Sequence, residues 1–387
     1  MDARVRAGID LCGTTLRYAE VEHYEAAPSS GWAAEGGGGF PRADPRGRNA
    51  SGRHRLLRLG SCDFDFDVTH MLWGARAEQQ HVDTLGRALA DVYENASAET
   101  LRVVVHPPQA CSFFAPMPAQ ASTAAERRAH FEREARLLMH NGGPTDDGNG
   151  HDGSGNDGAS DEELHVSVED LPPDGADASS RVRAHVSHVL AVSGGAHARF
   201  QHVMDALPLP DFRWMVSMKG AARAAVLLEQ QRRERARSSS SKQPAPVRAS
   251  AASTAEERAA QDPADAASPF RLAVGCYPGH LELALARHGR FHFALHAPRA
   301  APSDSAYFAA ALLERLGEGR PASAVERVFT YGPDANASLD DDFTALTRLT
   351  GTAPEPLDFR PIVGLDPGHL AEDFDPGPYV PCVGAAL

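Results

Sequence analysis

Two segments of this 387-residue chain share one layout, and the second lacks residues that the first keeps. The first runs Arg6-Ala7-Gly8-Ile9-Asp10-Leu11-Cys12-Gly13-Thr14-Thr15-Leu16-Arg17-Tyr18-Ala19-Glu20-Val21. The second runs Arg271-Leu272-Ala273-Val274-Gly275-Cys276-Tyr277-Pro278-Gly279-His280-Leu281-Glu282-Leu283-Ala284-Leu285. Each reads as an apolar strand, a small-residue turn and an alternating apolar strand. Such a hairpin turns tightly enough to present backbone N–H groups to an anion. One hairpin opening each half of the chain argues for internal duplication. The copies differ at their turns. The first has Asp10 and Gly13; the second has Gly275 in the acid's place and Tyr277-Pro278 in place of Cys12-Gly13.

Strand and helix periodicities alternate along both halves. Arg55–Phe66 alternates as a strand, with a phase shift at Gly60 that predicts a bulge or turn. Helical spacing follows over 81–95, a buried strand over 101–106, a short strand over 111–114 and an amphipathic helix over 124–140. Strands are predicted at 165–168 and 186–193, and helices at 196–206 and 220–234. The second half repeats the scheme: strand pairs at 270–285 and 289–296, a helix at 306–316 and a strand at 325–331. This order predicts α/β layers, with a first domain over 1–205 and a second over 206–387. Residues 141–163 are Gly/Asp/Asn-rich and 238–268 are Ser/Ala/Pro-rich; both are predicted to be disordered or flexible.

Composition narrows the function. The chain has 52 acidic against 38 basic residues and a net charge of −14, which argues against nucleic-acid or anionic-membrane binding. No stretch approaches the roughly 20 apolar residues that span a bilayer, and the start carries no signal-peptide pattern. The five cysteines, Cys12, Cys62, Cys111, Cys276 and Cys382, are isolated and have no metal-ligand spacing. They fit a reduced compartment, so the expected location is the cytoplasm, peripheral at the inner membrane through partners.

With these elements in place, the chain resembles the actin-like ATPase superfamily, and within it the branch of the pilus-assembly protein PilM and the cell-division protein FtsA. Gly8-Ile9-Asp10-Leu11-Cys12-Gly13-Thr14-Thr15-Leu16-Arg17 is similar to the family's first phosphate loop, departing at Cys12. Val103–Pro118 resembles its strand–turn–strand, His130–Ala135 its acidic helix, and His188–Leu207 the strand and helix closing the first half. Ala273–Leu285 stands where the second phosphate loop belongs, Arg327–Pro333 where the glycine-rich adenosine turn belongs, and Val383–Leu387 resembles the final helix start. The resemblance implies an α/β fold of duplicated actin-like (ribonuclease H-like) domains facing a central cleft. It also implies a nucleotide cleft formed by Asp10, Gly13, Thr14, Thr15 and Gly332. In an active member Asp10 would hold Mg²⁺ through water, and the threonines would add hydroxyl donors.

The second loop argues against catalysis. Phosphoryl transfer needs charge-stabilising groups from both sides of a cleft. A loop without its acid cannot help hold a metal, Tyr277 puts a ring where backbone must approach phosphate, and Pro278 has no N–H to donate. A single glycine at Gly332 reads as a turn. Glu132 and Glu134 read as a solvated helix face, and Asp63, Asp65 and Asp67 as the outer face of a strand. The pair His292 and His296, beside His288, reads as ordinary strand residues and not as a metal site. The expected function is therefore a degenerate actin-like scaffold for a pilus or secretion-type membrane assembly, with protein partners, no metal and weak or no ATP binding. The alternative is an ATPase that uses Mg-ATP on the first loop around Asp10. A small-metabolite kinase on the same fold is disfavoured, since it needs an intact second loop.

Overall fold

The computed structural model describes residues 4–24, 54–74, 77–107, 109–117, 123–141, 163–171, 186–205, 207, 211–240, 269–287, 289–301, 303–315, 325–336, 343–365, 370–371 and 373–387. Strands β1 (Arg4–Cys12) and β2 (Thr15–His23) form the first hairpin, and β3 (His54–Asp63) extends it antiparallel. Helices α1 (Val68–Trp73) and α2 (Gln79–Tyr93) then lead to β4 (Thr100–Val105), which returns parallel to β1. An antiparallel excursion follows: β5 (Ala110–Pro116), α3 (Ala124–Asn141), β6 (Leu164–Leu171) and β7 (Val186–Ser193), in the sheet order β5-β7-β6. Helix α4 (Gly194–Asp205) connects to β8 (Phe212–Val216), parallel to β4, and the long α5 (Ser217–Ser240) crosses to the second half.

The second half is built on β9 (Phe270–Tyr277), β10 (His280–Arg287) and β11 (Arg290–Pro298), followed by helix α6 (Asp304–Arg315), β12 (Val325–Tyr331), helix α7 (Thr344–Thr350) and β13 (Glu355–Pro356). The chain closes on helix α8 (Val380–Ala386). The two large sheets have the orders β3-β2-β1-β4-β8 and β11-β10-β9-β12-β13. Element by element these match: an antiparallel three-strand meander, then two strands added in parallel on the edge of the first. The duplicated α/β architecture read from the two hairpins is thus the architecture of the fold.

Why the sheets meet where they do follows from small residues. α8 is buried throughout and packs on β1, β4 and α5. A Cβ on Gly8 would lie 2.0 Å from the Cys382 carbonyl oxygen, and one on Gly384 would lie 2.1 Å from that of Gly220. Backbone-to-backbone approach of this kind excludes every other residue type. α5 turns Ala221, Ala222, Ala224, Ala225 and Leu228 into the same core, a face made mostly of alanine that lets β9 and β10 lie close against it.

Several local expectations needed adjustment. The bulge in β3 is not at Gly60: the register shifts where Glu20 faces Arg58 and Val21 faces Leu56, so Leu57 is the extra residue. Asp67 is not part of a strand face. It caps α1, its side chain accepting from the His70 N–H at 2.8 Å. α1 and β8 carry no signal strong enough to be read from sequence, being six and five residues long. α5 runs past the predicted end at 234 as far as Ser240, so 238–240, expected to be flexible, are helical. Asn141 likewise ends α3; residues 142–162 and 241–268 lie outside the described residues.

Candidate functional site

The two hairpin turns face each other across a cleft of about 1000 Å³. The first hairpin brings Cys12, Gly13, Thr14, Thr15 and Arg17 to it, the second Tyr277, Pro278, Gly279 and His280, and His106 and His296 also line it. Behind the cleft, at its floor, lies a buried ionic cluster that joins the halves. His106, at the end of β4, has Nε2 2.6 Å from Asp10 Oδ1 and Nδ1 2.8 Å from Glu282 Oε1. Asp10 is 1%, His106 4% and Glu282 0% exposed, so all three are cut off from solvent.

Both ring nitrogens therefore face carboxylates, and with both acids ionised the two hydrogen bonds are satisfied together by an imidazolium. Burial by itself would lower the His106 pKa. The Asp10 and Glu282 carboxylates and the Cys12 sulfur reverse that and hold it well above its ordinary value. Glu282 shows the mirror behaviour. Burial would raise its pKa, but the His106 charge, the hydrogen bonds from His106 and Ser217 and the His280 ring 3.6 Å away hold it well below the usual carboxylate range. Ser217 Oγ donates to Glu282 Oε1 at 2.6 Å, and the Tyr331 hydroxyl donates to Oε2 at 2.7 Å. Tyr277 packs over the cluster beside the cleft: its ring stands edge-on to His106 at 4.8 Å and stacks on His280 at 4.8 Å.

The predicted site residues are placed as follows. Asp10 is at the cleft floor, with Oδ1 on His106; its Oδ2 is buried without a hydrogen-bond partner. Gly13 forms the turn at φ 59°, and its N–H donates to Thr69 Oγ1 at 2.9 Å. Thr15 Oγ1 donates to Asp63 Oδ1 at 2.8 Å. Thr14 is exposed at the turn's tip, and its carbonyl accepts from the Phe64 N–H at 2.8 Å. Gly332 does not line the cleft. It sits behind the second hairpin at φ 94°, where a Cβ would come 2.6 Å from the Cys276 carbonyl oxygen, and its neighbour Pro333 reaches the cleft instead. Of the histidines on β11, His296 lines the cleft while His292 packs on Phe270 at 5.5 Å; His288 lies outside the described residues. His106, His280 and Glu282 offer ligand atoms within 4.8 Å of one another, but Glu282 already accepts from three donors.

His106 and Glu282 are the residues sequence reasoning missed. The acid of the second half is on β10, one strand later than expected, directly opposite Gly275. A Cβ at Gly275 would lie 2.6 Å from the Tyr331 ring, so that position cannot carry the acid. The available signal was Glu282 itself, a lone charge inside Leu281-Glu282-Leu283-Ala284-Leu285, a run apolar enough to be buried on both faces.

No family model and no curated protein matches the chain in sequence. Among solved structures it is similar to a chain of the PilM–PilN type IV pilus biogenesis complex, with a TM-score of 0.54 over 98% of this chain and 97% of that one at 12% identity. The chain has the actin-like fold. It is also similar to a Bacteroides thetaiotaomicron protein with actin-like ATPase fold and unknown function, at a TM-score of 0.40 and 8% identity, covering 93% of each chain. A further likeness is to the cytoplasmic domain of EpsL, an inner-membrane component of the type II secretion system of Vibrio cholerae, at a TM-score of 0.38 and 10% identity over 100% of this chain and 94% of that one. Among the described residues no helix is long and apolar enough to cross a membrane. The Asp10–His106–Glu282 cluster joins the two hairpins of this fold, Asp10 standing on the first and Glu282 on the second.

Proposed function

We propose that this chain is an actin-like assembly protein that does not hydrolyse nucleotide, and that an internal salt bridge holds its cleft in place of a bound metal–nucleotide. The observation that carries the reading is His106 between Asp10 and Glu282. A positive charge supplied by the chain neutralises the acid that would hold Mg²⁺ through water. The groups that would cradle phosphate are engaged elsewhere: the Gly13 N–H by Thr69, the Thr15 hydroxyl by Asp63. Pro278 has no N–H, and Gly332 is spent on backbone packing. These residues do not fit Mg-ATP.

The working part of such a protein is its surface, with protein partners in a pilus or secretion-type assembly at a membrane. Support for that is the likeness to the PilM chain of a complex with PilN, which extends over nearly the whole of both chains. One observation favours the rival reading, a nucleotide-binding ATPase on the first loop: Asp10 Oδ2 is buried and unpartnered beside a cleft of about 1000 Å³. Calorimetric titration with Mg-ATP separates the two. No heat at millimolar nucleotide is expected. Micromolar affinity, abolished by Asp10→Ala, would overturn the scaffold reading and establish the rival.

A further inference from the structure

Away from the cleft, a second cavity of about 630 Å³ opens where the first large sheet, the small sheet, α5 and the β10–β11 turn meet. Arg102 on β4, Arg213 on β8, Lys219 and Arg223 on α5 and Arg290 at the hairpin turn all line it, against one carboxylate, Glu169 on β6. This is an unusual place to find five cations, in a chain whose net charge is −14. Their pairing is incomplete. Lys219 takes Glu169. Arg102 donates to the Ala385 carbonyl at 2.7 Å, at the C-terminal end of α8, where a cation is favoured. Arg213 and Arg223 have no hydrogen-bond or ion-pair partner among the described residues.

Arg223 is the more telling of the two. It is half-buried, and burial together with the nearby Arg102 and Arg6 guanidinium groups lowers its pKa to about 10. It is thus still charged at neutral pH, against both desolvation and like-charge repulsion. The one carboxylate near it, Glu169, is already taken by Lys219, so five cations share a single acid in a chain that has 14 more acids than bases. Charge left uncompensated on a concave surface is a feature of anion sites.

We propose that this cavity binds a small phosphorylated anion carrying two or more phosphoryl groups. Two unpaired guanidinium groups match phosphoryl oxygens in a bidentate manner, which a lysine ammonium does not. Met215, Val226 and Phe291 give the cavity an apolar wall against which an organic moiety can rest, and its volume is in the range of small-ligand sites. The site touches the first half through β4, β6 and β8 and the second through the β10–β11 turn. Occupancy would therefore tie the halves at a second point, independent of the cleft.

The test uses the full chain and pyrophosphate as probe, by isothermal titration calorimetry in low-salt, phosphate-free buffer. Saturable one-to-one binding is expected. It should weaken by at least about tenfold in Arg223→Gln and in Arg213→Gln, each of which loses charge-assisted hydrogen bonds. Binding should be unchanged in Thr14→Val, on the exposed turn of the cleft. Three results overturn the proposal: no saturable binding at millimolar pyrophosphate, loss in Thr14→Val with retention in Arg223→Gln, or binding of an oligo-aspartate peptide but not of pyrophosphate. Thermal denaturation guards against misfolding. Removing a repelled cation should leave Arg223→Gln melting at or above the parent without ligand. A fall of several degrees would instead make Arg223 a structural anchor and would equally overturn the assignment.

Discussion

Truncating His106 to alanine removes the single cation between two buried acids. In the folded protein it leaves Asp10, 1% exposed, and Glu282, 0% exposed, facing the space that the ring occupied. Two charge-assisted hydrogen bonds, at 2.6 and 2.8 Å, are lost. At about 1.5–3 kcal/mol each they sum to roughly 3–6 kcal/mol. Breaking a buried pair by deleting one partner costs about 3–5 kcal/mol by a separate line of evidence, and the two ranges agree. His106→Ala should therefore lose about 3–5 kcal/mol in urea denaturation followed by circular dichroism at pH 6–7. His296→Ala, which lines the same cleft, should lose under about 1 kcal/mol. The difference between parent and His106→Ala depends on pH in a fixed sense. His106 has its folded pKa raised, so its stabilisation is complete below about 6.5 and is withdrawn as pH rises through the folded value. Glu282 has its folded pKa lowered, so its contribution is complete above about 4.5 and is lost as pH falls. The gap between parent and variant should be widest near pH 5–6 and narrow on both sides. A loss below about 1 kcal/mol at pH 6, or a gap that does not change with pH, would refute an imidazolium bridging two carboxylates.

Two further perturbations test the packing and the remaining titratable core. Gly8→Ala places a Cβ 2.0 Å from the Cys382 carbonyl oxygen and should lower stability by about 1–3 kcal/mol or more, since only backbone can yield there. Gly13→Ala meets nothing within 4 Å and should cost only the strain of its positive φ, about 1–2 kcal/mol; equal melting temperatures for the two variants would contradict the tight seat of α8. His188 is buried, accepts from or donates to Ser112 at 2.9 Å, and is held to a pKa of about 3 by burial and by Lys219. Its folded pKa lies below the unfolded value, so the unfolded chain binds the extra proton and stability falls as pH drops below about 6.5. Between pH 6.5 and 4.5 this amounts to about 2–3 kcal/mol, which His188→Gln should remove from the denaturation profile.

The duplication, the two hairpins and the longer strands and helices were legible in the sequence. These rest on local signals: period-2 alternation around Leu283 and Leu285, helical spacing of Val82, Leu85 and Leu89, and turn residues at Gly13-Thr14 and Pro278-Gly279. Short elements such as α1 and β8 are held by neighbours and not by propensity, so they left no readable period. The substance of the cleft was also decided only by tertiary structure. Asp10 and Glu282 are 272 residues apart and His106 lies 96 from the first and 176 from the second, so no spacing along the chain connects them. Gly275 marked where an acid was missing, yet the fold supplies one from the paired strand, because antiparallel register places Glu282 across from it. Charge balance in a buried site depends on which strands meet, and that is settled by the alanine face of α5 and the glycines under α8 that let the two halves close.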